Sequence, residues 1–155
     1  MSSKRLDAGG LCTRNVVFAY KTMAVDDAAR LMREQHVGTL VVVDEGGGPG
    51  RVVVGMLTDR DIVTSIVAKD CDPDTVRVED AMSADLVTAR EEDSLIDVLS
   101  TMRRKGVRRL PVVDAAGALV GLLALDDVLE VIAQELQLVV QAMQSGRHRE
   151  PVRRP

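Results

Sequence analysis

The chain repeats itself. Val25, Ala28, Ala29 and Met32 fall at i, i+3, i+4 and i+7, one face of an amphipathic helix, and the same face returns as Leu95, Val98, Leu99 and Met102, displaced by 70 positions. At that displacement Val107 to Asp114, Val-Arg-Arg-Leu-Pro-Val-Val-Asp, lies over Val37 to Asp44, Val-Gly-Thr-Leu-Val-Val-Val-Asp. The following turn is four residues shorter in the second copy, so Gly121 to Asp127 lies over Gly55 to Asp61 at a displacement of 66. A chain of 155 residues thus divides into two strand-helix-strand-strand-helix units. A unit of about 60 residues buries little apolar surface alone, so the two are expected to pack on each other about a pseudo-twofold axis, in an α/β (α+β) fold.

The elements follow from local patterns. Val16 to Ala19 reads as a short strand, and the first helix ends near His36 and Gly38. Leu40 to Val43 and Val52 to Leu57 are apolar strands joined by the glycine-rich turn Glu45 to Gly50. Ile62, Val63, Ile66 and Val67 then recur with helical spacing. The expected organisation is a loose arm over 1–10, a first repeat over 11–69, a linker over 70–75, a second repeat over 76–135 and a helical extension with a basic tail over 136–155. Within that extension Val128, Leu129, Ile132, Leu136, Val139, Val140 and Met143 form one stripe, which either folds back on its own core or meets a symmetry mate. Beyond Gly146 the tail, with Pro151 and Pro155, is expected to be disordered.

Chemistry concentrates between Gly55 and Ile66, where a strand runs straight into a helix. Thr58 stands at the junction with Asp61 three residues on. A hydroxyl and a carboxylate at that spacing form a capping box. The same two groups can also grip ribose hydroxyls while the helix N-terminus attracts a phosphate, and both readings stay open on this motif alone. Arg103, Arg104, Lys105, Arg108 and Arg109 make the densest basic run. The first three suit a solvated helix end, whereas Arg108 and Arg109 lead into a strand.

Several function classes are excluded or disfavoured. The net charge of -4 argues against a nucleic-acid binder, and Phe18 and Tyr20 as sole aromatic residues leave no base-stacking platform. No stretch reaches the roughly 18 apolar residues of a membrane helix, and no secretory leader is visible, so a cytoplasmic protein with Cys12 and Cys71 as free thiols is expected. His36 and His148 do not complete a metal pattern with them. Asp59 and Asp61 point in different directions on a starting helix, no base neighbours Ser65 or Ser83 in sequence, and the Gly46 to Gly50 cluster joins two strands, so no catalytic residue or phosphate loop is assigned.

Together the internal repeat, Leu110-Pro-Val-Val-Asp114 and Gly55-x-x-Thr58-x-x-Asp61 resemble a pair of CBS domains, the cystathionine-β-synthase module, in a short stand-alone bacterial form, over roughly Leu11 to Gln137. The resemblance implies an adenine-nucleotide sensor: AMP, ADP or ATP, with NAD or S-adenosylmethionine as further options, held between the repeats and shifting their arrangement. It gives Thr58 and Asp61, and Asp127 in the second copy, the ribose role, and Arg108 and Arg109 the phosphate role. Ala124 stands where the second copy would need Thr58's hydroxyl, and Gly38 and Thr39 stand at the arginine positions of the first. One strong and one weak or empty cleft follows. The resemblance also implies a homodimer and an effector protein of unknown identity. A module for dimerisation or partner docking through the Val128 to Met143 stripe, with incidental nucleotide binding, is the competing expectation.

Overall fold

A computed structural model describes residues 6–46 and 50–149, with the side chains of His148 and Arg149 excepted. The start of the expected arm, the centre of the glycine-rich turn and the tail from Glu150, including both of its prolines, lie outside the described residues.

Two three-stranded sheets carry the two repeats. In the first, β1 (Phe18–Tyr20) leads into α1 (Val25–Gln35), which returns the chain parallel to β1 as β2 (Thr39–Asp44); β3 (Val52–Thr58) then pairs antiparallel with β2. Helix α2 (Asp59–Ile62) follows without a break and continues as a π-helical turn, Val63–Val67. The second repeat copies the order with β4 (Ala89–Arg90), α3 (Leu95–Lys105), β5 (Arg109–Val113), β6 (Leu119–Ala124) and α4 (Leu125–Arg149). Even the irregularities correspond: the register shifts between Val42 and Val43 and again between Val112 and Val113. The β-α-β-β-α order read from the displacement is the observed one.

The sequence explains the helix ends. Residue His36 ends α1 in the left-handed conformation, φ 54°, donating its N–H to Met32 O, and Gly106 does the same for α3 at φ 65°. The first strand is shifted from the expected Val16 to Ala19 by about two residues, because pairing with Val41 to Val43 begins only at Phe18. The helical face expected of Ile62, Val63, Ile66 and Val67 divides in two. The π turn sends Ile66 into the core and leaves Val63 and Val67 exposed.

Each repeat has its own core, one built on Ala19, Val25, Ala28, Leu40, Val42, Leu57 and Ile66 and the other on Ala89, Val98, Leu110, Val112, Leu123 and Val128. Val41, Val43 and Val53 meet Val113 between them, with Phe18, Tyr20, Leu119 and Leu122 alongside. Val52 bridges Ala118, Val53 N–H donates to Gly117 O at 3.1 Å and Leu119 N–H donates to Arg51 O at 2.8 Å. Equivalent residues of the two repeats therefore face each other, as a twofold relation requires.

Short helical turns cross between the repeats. Ala8–Leu11 packs Ala8 and Leu11 into the second core, and Val78–Ala81 packs Val78 and Ala81 into the first. One expectation changes as a result. Residues 6–10, read as part of a loose arm, are folded, with Asp7 Oδ1 accepting from Gly10 N–H at 2.8 Å and Ala8 wholly buried. Residues 76–82, assigned to the second repeat, pack on the first. The crossing also explains Gly55 and Gly121. A Cβ at Gly55 would lie 2.8 Å from both Met82 Sδ and Ser83 O, and one at Gly121 would lie 2.5 Å from Cys12 Sγ and 2.7 Å from Thr13 O. Only glycine admits the crossing segment over β3 and β6. At the far end, α4 runs through Gly146 to Arg149, so the described part of the tail expected to be disordered is helical.

Candidate functional site

Strand β3 ends at Thr58, which serves as the N-cap of α2. Thr58 Oγ1 accepts from Asp61 N–H at 3.1 Å, and Asp61 Oδ2 accepts from Thr58 N–H at 2.9 Å. The capping box is thus formed in full. It consumes one carboxylate oxygen. Asp61 Oδ1 and the Thr58 hydroxyl proton have no hydrogen-bond partner among the described residues, and both residues line a cleft of about 270 Å³.

Arg108 and Arg109 line the same cleft from the other repeat. Arg109 opens β5, paired with Ala124, and Arg108 O accepts from Leu125 N–H at 2.8 Å, which fixes the backbone beneath both arginines. Both side chains are exposed, and Arg108 Nη2 reaches Asp126 Oδ1 at 3.3 Å across open surface. An ion pair this exposed is weak, so turning Arg108 from Asp126 toward an anion would cost little. Arg103, Arg104 and Lys105 occupy the exposed last turn of α3, where the helix dipole favours them, and they do not line the cleft.

The remaining wall comes from a segment whose role the sequence reading did not identify. Ser83 N–H donates to Met56 O at 3.0 Å, so the crossing turn Val78–Ala81 delivers Ser83, Asp85, Leu86 and Val87 to the cleft rim. Met56, Leu86, Val87 and Val107 supply apolar surface, and Leu86 is 42% exposed there. The signal was available: Leu11 to Val17 stands at the same displacement of 70 from Ala81 to Val87, but neither segment has helical or strand periodicity. Phe18 and Tyr20 are elsewhere, stacked edge to face at 5.6 Å between the repeats with Arg51 4.2 Å above Phe18.

Asp127, the third residue assigned to ribose, lies in the first turn of α4 and does not line this cleft. Its surroundings differ from those of Asp61. Ala124 provides no hydroxyl, and the strand position matching Arg108 is Gly38, where an added Cβ would lie 2.9 Å from Asp59 Oδ2. A carboxylate thus stands near the sister position of the arginine pair. Among the described residues no three His, Cys, Asp or Glu side chains gather as a metal site, and no helix is long and apolar enough to cross a membrane.

A duplicated α+β module with a cleft shared by its two repeats defines the class. The family model described as "CBS domain" matches residues 8–68 and 78–134, and the chain belongs to the CBS-domain family. It is 33% identical over 128 residues to the uncharacterized protein MK0525 of Methanopyrus kandleri, covering 83% of this chain and 63% of that protein. To the CBS domain-containing protein YhcV of Bacillus subtilis it is 38% identical over 115 residues, 74% of this chain and 77% of the relative. Among solved structures, Hypoxic Response Protein I with two coordinated zinc ions matches with a TM-score of 0.70 at 27% identity, over 80% of this chain and 97% of that one. The cytosolic domain of the Mg2+ channel MgtE in complex with ATP matches with a TM-score of 0.68 at 33% identity, over 81% of this chain and 48% of that one.

Proposed function

We propose that this chain is a regulatory module that binds an adenosine phosphate between its two repeats. The observation that carries this is the convergence of Thr58 and Asp61 from one repeat with Arg108 and Arg109 from the other in a single cleft. Asp61 Oδ1 accepts from ribose hydroxyls and Thr58 Oγ1 donates. Arg108 and Arg109 hold the phosphates with forked donors, and Met56, Leu86, Val87 and Val107 cover the base. MgtE's ATP complex, at 33% identity, supports the ligand class. AMP, ADP and ATP fit best, NAD and S-adenosylmethionine being the further candidates. A ligand touching both repeats favours the arrangement in which both sets of contacts close, and that differential affinity is what transmits a signal to an effector protein. The sister cleft at Asp127 lacks the hydroxyl and the arginines and binds weakly or not at all. The role is binding and not catalysis, and it is exercised in the cytoplasm.

Calorimetric titration of nucleotide-stripped protein with the five ligands in turn tests this. Micromolar binding of about one ligand per chain is expected; no heat from folded protein refutes it. A second reading, a docking or dimerisation module, is favoured by the exposed stripe on α4. Truncation after Gln134 separates the two: nucleotide affinity survives the cut under the first, and assembly alone is lost under the second.

A further inference from the structure

Helix α4 leaves the body of the molecule after Val131, and from Ile132 onward every described side chain is exposed. Leu129, Ile132, Leu136, Val139 and Met143 recur at alternating spacings of three and four, the a and d positions of a heptad, and are between 41% and 63% exposed. From Leu136 to Gly146 the helix carries no charged residue. A helix of this length holds its shape in water through packing of such a face, not through propensity, and the body of the chain does not provide that packing.

The charges decide what covers it. Asp126, Asp127, Glu130 and Glu135 crowd the beginning of α4, and Arg147 lies at its end. Laid parallel on a second copy, the acidic stretches would lie side by side and no flanking position would gain an opposite charge. Laid antiparallel, each acidic stretch meets a basic end and the two helix dipoles oppose. One antiparallel register closes the seam and the charges together.

We propose that α4 packs antiparallel against α4 of a second copy, with Ile132 against Met143, Leu136 against Val139, and Asp126 beside Arg147 at each end. The two helices then form a rod of about 30 Å between the bodies at 1.5 Å per residue, and both nucleotide clefts stay open. Asp126 already faces Arg108 at 3.3 Å, so each cleft's arginine lies next to the end of the contact. This assembly does not depend on the nucleotide proposal.

Cysteine pairing in the full chain, with exposed Cys71 replaced by Ser, tests the register. Under mild oxidation the Ile132→Cys chain mixed with the Met143→Cys chain should give a disulfide-linked dimer, while neither variant links to itself, since identical positions lie about 16 Å apart along the rod. Self-linking of Ile132→Cys means a parallel pair and overturns the proposal. Light scattering of the unmodified chain at tens of micromolar should show a dimer; a monomer overturns it. Leu136→Glu with Val139→Glu should raise the dimer dissociation constant at least ~100-fold while the melting temperature of the body is unchanged, because a charge buried unpaired in a seam is costly. A dimer that survives both glutamates places the contact elsewhere and refutes it.

Discussion

Replacing Asp61 with Ala removes two sets of interactions that one carboxylate serves. Toward the protein, Thr58 N–H loses its acceptor at 2.9 Å and half of the capping box disappears. An N-terminal cap is worth about 1 kcal/mol, which for a chain of this size lowers Tm by about 3 °C. Toward the cleft, Oδ1 no longer accepts from the ribose. Hydrogen bonds to a charged group contribute about 1.5–3 kcal/mol each, so losing the ribose contact should weaken nucleotide binding by ~100-fold. The two effects separate by assay: calorimetry reads the ligand and a thermal melt without ligand reads the cap. Asp61→Asn sharpens the contrast, since the amide oxygen still accepts from Thr58 N–H while the charge is gone. It should restore most of the melting temperature and little of the affinity. If either variant binds AMP or ATP within twofold of the parent while Tm falls as expected, Asp61 is a cap only, and the ribose assignment is wrong.

Asp126→Asn frees Arg108 from its ion-pair partner at 3.3 Å and should tighten ATP binding by up to about fivefold, the most that an exposed pair worth under about 1 kcal/mol allows; weaker binding in calorimetry would contradict this. Gly121→Ala drives a methyl against Cys12 Sγ and Thr13 O and should cost about 2 kcal/mol in denaturant melts, whereas Gly146→Ala, with open space around it, should cost nothing. Asp74 is held above the ordinary carboxylate range by its hydrogen bond and charge repulsion with Asp26, and by the charge of Asp72. A carboxyl raised on folding stabilises the protonated form, so its contribution is present at low pH and lost as pH rises through the raised value. Asp74→Asn should therefore raise Tm at pH 7, and the gain should shrink on acidification to about pH 4; a gain independent of pH would assign it to something other than the carboxylate pair.

The two displacements made most of the fold legible, because equivalent strands and helices must fill equivalent places in a duplicated molecule. Thr58 and Asp61 were legible for a stricter reason: the capping box is a local device, and hydrogen bonds between residues three apart leave their mark within four consecutive positions. Arg108 and Arg109 needed the duplication as well, since only the folding of one repeat against the other brings them to Thr58. What stayed hidden depends on contacts between residues far apart in sequence. Ala8–Leu11 and Val78–Ala81 are single turns of four residues, too short to show a period, and the surfaces they bury belong to the opposite repeat. Their traces were Gly55 and Gly121, which interrupt two apolar strands at matching places for no reason internal to the strands. A glycine repeated inside a strand marks a close approach by another backbone. That approach carries Ser83 to Val87 to the rim of the cleft. The exchange that locks the repeats together therefore also builds one wall of the cleft between them, and under the proposed function a ligand pressing on Leu86 and Val87 would act on the segment that joins the two cores.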